Sequence, residues 1–428
     1  MQDWAGWLLM LFSFSIVLMW KHVRSDTKVV CAIWFCLVLH HAMAYLGVYN
    51  PNESPFFLDV YVPDASQFHG DGVVFAGLSE PEWKVFSGNV ISGSTIYFQS
   101  LGFFYRIIGH SYLFGKELSV LAFVLSCVVL VKLVDHLDLR RFRVGIVLLF
   151  GLLPSVMIFT SVTLRESWQA LFFLLSVYWA IRLWKQPDIL NLPFLLISTF
   201  CLAMMHHGLS RFAAYMIIIS VYWGVLGRKK NVHWARHIRF LFAGLLIVCL
   251  IMLAQKVGNL LNVERALEGI EGVRQSLLKD ENVRTVYSFM LDASSVYGLV
   301  TTIPMVFVQY MFAPFPWQVE NVKDIYALFE SMLRFLLLFF AISSWRRSSG
   351  EVRSCYSFLL ITVLGMELTW ALGTVNWGTA IRHHVPGYGV IVLLGAPRLI
   401  LFMQELQFGI FGRGKVSGEL NERSPHKS

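Results

Sequence analysis

Carboxylates and a histidine are concentrated in one short and otherwise apolar segment, residues 57–71. Asp59, Asp64 and His69 lie there among aromatic and aliphatic neighbours. Carboxylates in such a setting can act as a general base or can hold a divalent cation against a diphosphate. We predict a catalytic role for Asp64 first, and then for Asp59 and His69. A solvated polar loop is the alternative interpretation.

Three further short segments place an arginine near an acid or a histidine. Arginine suits phosphate because its guanidinium forms two parallel hydrogen bonds, and a nearby histidine can donate to the same phosphate or transfer a proton. Interfacial anchoring is the alternative for each segment, and a histidine metal site is disfavoured because adjacent histidines diverge on a helix. We predict that Glu166 is catalytic. The predicted substrate-binding or phosphate-binding residues are Arg165, His206, His207, Arg211, Arg382 and His383.

The composition indicates which solvent surrounds these residues. Of the 428 residues, 56% are hydrophobic and 14% are charged, whereas soluble domains carry about 25% charged residues. The mean hydropathy is +0.61. An ordinary soluble enzyme is therefore excluded, and we predict an all-α, polytopic integral membrane protein with a single transmembrane domain over residues 1–428. The six cysteines lie in apolar runs without CxxC spacing, which predicts neither a disulfide framework nor a zinc site.

Runs of about 20 apolar residues predict the membrane-spanning helices. A shorter apolar stretch, 297–313, is ambiguous, and we interpret it as a re-entrant or interfacial segment rather than a crossing. The eleven predicted spans are 4–20, 29–49, 114–134, 144–163, 167–184, 190–206, 211–227, 239–257, 328–345, 354–374 and 387–404.

Most of the lysines and arginines lie in alternate connections, those after the first, third, fifth, seventh and ninth spans, and in the C-terminal tail. The positive-inside rule makes that side the cytoplasm. The N-terminus and two long segments, 50–113 with interfacial helices and 258–327, are then predicted to be periplasmic, and the basic tail 405–428 to be cytoplasmic. Because topology accounts for the net charge of +8, no nucleic-acid partner is predicted.

Few ionisable residues are evident inside the predicted spans, and Glu367 is the clearest of them. Transporters usually carry several such groups at mid-depth. The polar residues cluster instead at the outer ends of helices. This pattern favours a site at the membrane–water boundary and an amphipathic substrate with its tail in the lipid bilayer.

Several short motifs resemble those of a known superfamily. They are Asp-Ala-x-x-Phe-His at 64–69, Tyr-Leu-Phe-Gly at 112–115, Leu-Pro-Ser at 153–155, Thr-Leu-Arg-Glu-Ser at 163–167 and Arg-His-His-x-Pro at 382–386. Together with the long early loop, they resemble the GT-C superfamily of membrane glycosyltransferases. The likeness is to bacterial polymerases and transferases of surface polysaccharides such as O-antigen and exopolysaccharide.

The resemblance implies a saccharide donor carried on undecaprenyl phosphate or diphosphate and a saccharide acceptor, with transfer at the periplasmic face of the bacterial inner membrane. It implies that Asp64 or Asp59 acts as the base or places a metal, and that Arg165, Arg211 and Arg382 bind the lipid phosphate. Two features depart from the family: an added first span, and Ala65 after Asp64 where metal-dependent members carry tandem acids. A divalent cation as cofactor therefore stays open.

Three functions are compatible with this resemblance. The first is polymerisation of oligosaccharide repeat units, with a flippase and a chain-length regulator as possible partner proteins. The second is transfer of a single sugar from undecaprenyl phosphate. The third is not enzymatic: a flippase or exporter of lipid-linked oligosaccharides.

Overall fold

A computed structural model describes residues 3–49, 63–79, 95–186, 190–226, 285–292 and 294–419, together with positions 82, 188 and 272. In these ranges the chain is α-helical, and its β-type pairing is one isolated bridge between Val286 and Asn376. Two short 3₁₀ turns, Arg140–Phe142 and Pro316–Gln318, interrupt the α-helices. The helices are α1 Trp4–Met19, α2 Lys21–Arg24, α3 Thr27–Tyr49, α4 Pro63–Gly77, α5 Thr95–Ile108, α6 Tyr112–His136, α7 Arg143–Gly151, α8 Pro154–Phe159, α9 Glu166–Lys185, α10 Asn191–Met205, α11 His207–Leu226, α12 Val296–Phe312, α13 Val322–Arg347, α14 Gly350–Gly373, α15 Trp377–His383 and α16 Val385–Glu419.

Five stretches of these helices are long and apolar enough to cross a membrane, and they belong to α3, α6, α13, α14 and α16. Shorter apolar helices are α1, α10 and most of α12. The chain is therefore an all-α membrane protein by length and composition. The predicted span 239–257 lies outside the described residues, as do all of 50–62 and most of 258–284.

The predicted span 144–163 is wrong as a single helix, because the chain breaks between α7 and α8. Leu153 adopts an extended conformation, with φ −58° and ψ 127°, and Pro154 occupies the first turn of α8. Proline disfavours a helical residue before it, but its missing N–H costs nothing at a helix start. The restart exposes the Ser155 backbone N–H, which donates to Glu330 of α13 at 2.8 Å.

The core is formed by α6, α9 and α16, with α10 against α9 and α13 along α16. Helix α6 is buried on most of its surface, as expected for a helix that is apolar all round. Helix α4 packs against α5. These two helices lie in the predicted periplasmic segment 50–113.

Two adjacent histidines of α3 connect neighbouring helices through three hydrogen bonds and one contact with a carboxylate. His40 contacts the Gly151 carbonyl through Nε2 at 3.0 Å and Thr160 through Nδ1 at 2.7 Å. His41 lies 2.9 Å from Ser13 and 2.8 Å from Glu117. A polar group in an apolar interior is costly without a partner, so these contacts hold α1, α3, α6, α7 and α8 at fixed positions.

Candidate functional site

Arg382 lies between two carboxylates that come from distant parts of the chain. Its Nη1 donates to Asp64 Oδ2 at 2.5 Å, and its Nε lies 3.1 Å from Glu166 Oε1. The exposed fraction of the side chain is 2% for Glu166, 16% for Arg382 and 37% for Asp64. Glu166 is therefore the buried partner, and Asp64 is the partner that a ligand can reach.

Each of these charges occupies a helix end that suits its sign. Asp64 lies in the first turn of α4, and Glu166 is the first residue of α9. Arg382 lies in the last turn of α15. Asn376 caps the start of this helix, and its side chain accepts from the Thr379 N–H at 2.8 Å. Helix dipoles favour acids at N-termini and cations at C-termini, so the local sequence of each helix supports the ion pairs.

Arg165 is a second cation near Asp64 and Glu166, but unlike Arg382 it is not paired directly with either carboxylate. Its side chain is buried, its guanidinium lies 5.4 Å from the centre of the Phe68 ring, and its Nε has no hydrogen-bond partner among the described residues. Burial lowers the pKa of Arg165, whereas Glu166 and Asp64 raise it and Arg382 lowers it further. Arg165 thus lies near both carboxylates without a direct bond to either. It is the cation best able to accept an anionic group.

His206 and His383 lie beside these arginines and share Trp370 between them. The His383 ring stacks on Trp370 at 4.0 Å, and the two histidine rings are 6.5 Å apart. Burial and then the charges of Arg165, His207 and Arg382 lower the pKa of His206 to about 3. Burial and then Arg382 and His206 lower the pKa of His383 well below its usual value. Both rings are therefore neutral at pH 7.

The hydrogen bonds of the two rings indicate which nitrogen of each ring carries the proton. His206 Nδ1 accepts from the Gly208 N–H at 3.0 Å, so its Nε2 carries the proton and can donate. Thr374 donates its hydroxyl proton to the Trp370 carbonyl at 2.8 Å, so His383 Nδ1 donates to Thr374 Oγ1 at 2.9 Å. His206 is therefore a neutral donor and His383 Nε2 a neutral acceptor, and neither supplies positive charge.

Six predicted residues thus come together in what we call the Arg382 cluster: Asp64, Arg165, Glu166, His206, Arg382 and His383. The other four predicted residues have different positions. His69 bonds the Tyr105 hydroxyl at 2.7 Å and stacks on Tyr112, and it is buried against α5 and the start of α6. His207 and Arg211 are exposed, and Asp59 lies outside the described residues.

Buried ionisable side chains are more numerous in the spans than the sequence suggests, so the expectation that they are few is wrong. Arg334 of α13 is 2% exposed and donates to the Met311 carbonyl at 2.6 Å and to the Tyr388 hydroxyl. Glu330, one turn earlier, accepts from Ser155. Their i, i+4 spacing in an apolar helix was the available signal.

The described residues contain no group of three or more His, Cys, Asp or Glu side chains that could hold a metal ion. Asp64 and Glu166 both face the Arg382 guanidinium. A divalent cation between these carboxylates would meet that positive charge, so we derive no step through a metal.

No family model, no curated protein and no solved structure matches this chain.

Proposed function

We propose that this protein is a membrane glycosyltransferase that uses polyprenyl-linked saccharides at the periplasmic face of the bacterial inner membrane. The proposed reaction is polymerisation of oligosaccharide repeat units of a surface polysaccharide. The observation that supports this proposal is that a reachable carboxylate, Asp64, lies near a buried cation, Arg165, that has no direct ion pair among the described residues. Eleven spans, a GT-C-like fold, a periplasmic N-terminus and a cytoplasmic C-terminus belong to the same proposal.

The pairing suits glycosyl transfer from a phosphate leaving group. The acceptor hydroxyl oxygen forms a bond to the anomeric carbon of the donor, and the bond from that carbon to the phosphate oxygen breaks. Asp64 takes the hydroxyl proton through Oδ1, because Oδ2 is held by Arg382. The electron pair leaves on the phosphate oxygen, where Arg165 and the Nε2–H of His206 stabilise the added charge. Arg382 keeps Asp64 oriented and Glu166 neutralises Arg382.

A lipid-linked donor fits the position of the Arg382 cluster on the helices. Glu166 begins α9, Arg382 lies in the last turn of α15, and α16 begins directly after His384. The charged groups thus lie at one end of apolar helices. A polyprenyl chain can remain among lipids while its phosphate reaches Arg165. A water-soluble nucleotide sugar would not need a site at the end of apolar helices.

A second function, a flippase for lipid-linked oligosaccharides, is favoured by one observation. Glu330, Arg334, Glu367 and His384 are all buried among α13, α14 and the start of α16. Buried ionisable groups inside membrane helices mark substrate or proton pathways in transporters. Transfer of a single sugar is the remaining enzymatic alternative.

Purified protein in proteoliposomes with a radiolabelled undecaprenyl-diphosphate oligosaccharide separates these functions. We expect a ladder of products that differ by one repeat unit. Addition of one sugar would identify a single-sugar transferase, and unchanged lipid that moves between leaflets would identify a flippase.

Two variants link the expected product ladder to the assigned residues. At wild-type protein levels and a donor concentration near the wild-type KM, Asp64→Asn should abolish the ladder, and Arg165→Ala should lower product formation by about fivefold or more. Arg106→Ala, at an exposed arginine of α5, is the control for loss of a positive charge. A wild-type ladder from both site variants would overturn the assignment of the Arg382 cluster.

A further inference from the structure

Glu367 and His384 form a fully buried pair whose geometry requires one shared proton. His384 Nε2 lies 3.0 Å from the Tyr310 carbonyl oxygen, which only accepts, so this nitrogen carries a proton. His384 Nδ1 lies 2.6 Å from Glu367 Oε2. A hydrogen bond at that distance needs a second proton, located either on Nδ1 or on the carboxyl. The Tyr310 hydroxyl donates to the same Oε2 at 3.0 Å.

The surroundings hold this pair in one arrangement. Tyr310, Glu367 and His384 are each 0% exposed. The other carboxyl oxygen, Glu367 Oε1, has no hydrogen-bond partner among the described residues and packs against Gly387. The pair with its shared proton carries no net charge, whereas loss of that proton would leave an unbalanced charge in an apolar interior.

The pair is directly connected to the Arg382 cluster through the chain. His384 follows His383 and Arg382 and is the C-terminal cap of α15. His383 is attached to α14 by its stacking on Trp370 and its bond to Thr374. His384 is attached to the same helix by Glu367. The side chains of His383 and His384 thus attach the end of α15 to α14. They directly follow Arg382, which contacts Asp64.

We propose that Glu367 and His384 are positioning residues for Arg382. They fix the end of α15 so that the Arg382 guanidinium reaches both Asp64 and Glu166. The consequence for catalysis rests on the proposed function, whereas the positioning itself does not.

Two glycines provide a matched pair of probes. A methyl group on Gly387 would overlap Glu367 Oε1, whereas a methyl group on Gly373 meets no atom within 4 Å. Gly387→Ala therefore displaces the carboxylate without removing any charge, and Gly373→Ala adds the same methyl group harmlessly. If Gly387→Ala fails to accumulate, Glu367→Ala replaces it, and Glu367→Gln is the conservative rescue because its amide can donate to His384.

The position of α15 can be read by cysteine labelling without any enzyme assay. Ala380 of α15 is 1% exposed and Cys127 of α6 is 0% exposed. Ala380→Cys is introduced into a chain in which every native cysteine except Cys127 is replaced by serine, and both thiols are labelled with a maleimide. We expect Gly387→Ala to speed labelling at position 380 by about tenfold or more, because local opening controls access to a buried side chain. Gly373→Ala should leave both rates unchanged.

Unchanged labelling at position 380 in Gly387→Ala, or a parallel rise at Cys127, would overturn the positioning role. In the transfer assay, misplacement of Arg382 should lower kcat and leave KM for the donor within about twofold. Glu367→Gln should restore more of kcat than Glu367→Ala. Labelling that behaves as expected in a protein without transfer activity would retain the positioning role and reject the proposed function.

Discussion

Arg382 donates a hydrogen bond to Asp64, which lies 318 positions earlier in the chain. The same guanidinium contacts Glu166 through its Nε. Although burial opposes it, the two carboxylates raise the pKa of Arg382. Arg382, one of the three arginines expected to bind the lipid phosphate, is therefore already paired with carboxylates, and Arg165 keeps the phosphate-binding role in the proposed reaction.

The two carboxylates should contribute unequally to stability. Asp64→Asn removes a partner that is 37% exposed, so we expect a loss below about 1 kcal/mol. Glu166→Gln removes a partner that is 2% exposed, and leaving Arg382 underpaired in a buried place should cost about 3 kcal/mol. Thermal or denaturant unfolding of the purified protein in one detergent measures both changes. Equal losses would contradict the difference in burial.

Arg165 should determine affinity for the phosphate of the donor. A hydrogen bond to a charged group contributes about 1.5–3 kcal/mol, so Arg165→Ala should raise KM for the lipid-linked donor by about 10- to 100-fold. Arg165→Lys should recover part of this loss, since it keeps the charge but not the two-pronged geometry. Initial rates against donor concentration provide the measurement. A donor KM that does not change would remove Arg165 from the phosphate site.

His206 should make the protein less stable in mild acid. Its pKa is about 3 in the folded protein and about 6.5 in the unfolded chain. Between these pH values the unfolded chain binds a proton that the folded protein does not. The free energy of unfolding is therefore unaffected by His206 above about pH 6.5 and falls as the pH is lowered towards 3. His383, whose pKa is also lowered, acts in the same direction. Melting temperatures from pH 8 to pH 4 test the effect.

His206→Asn should flatten this pH dependence because it removes one of the histidines whose pKa is lowered in the folded protein. His207→Asn is the matched control, since His207 is exposed and next in the chain. An identical slope in wild-type protein and His206→Asn would show that His206 is protonated as readily in the folded state as in the unfolded state.

The proposed topology makes its own prediction. A reporter fused after Lys230 should be cytoplasmic, and a reporter inserted near Asn52 should be periplasmic. The reason is that Lys230 lies in one of the basic connections, which the positive-inside rule assigns to the cytoplasm. The location of each site is measured with two reporter proteins, one active only in the cytoplasm and the other active only in the periplasm. The reverse result would move the Arg382 cluster to the cytoplasmic face and would exclude a periplasmic transfer reaction.

Helix ends could be predicted closely where the signal is local. The predicted span 29–49 corresponds to the helix Thr27–Tyr49, and the predicted span 167–184 corresponds to the helix Glu166–Lys185. The break at Leu153 was not predicted, although Pro154 marks it, because apolar residues continue on both sides. Hydropathy averages over about 20 residues and does not detect a change in one backbone dihedral angle.

The sequence alone determined the solvent of this protein and the small set of residues able to do chemistry, because apolar runs and scarce charges are properties of neighbouring residues. Only the tertiary structure decided which of those residues meet. It joins Asp64, Glu166 and Arg382, leaves Arg211 exposed, and buries Glu330 and Arg334. The physical reason is that an ion pair depends on which helix ends pack together, and no local spacing specifies a contact between residues hundreds of positions apart.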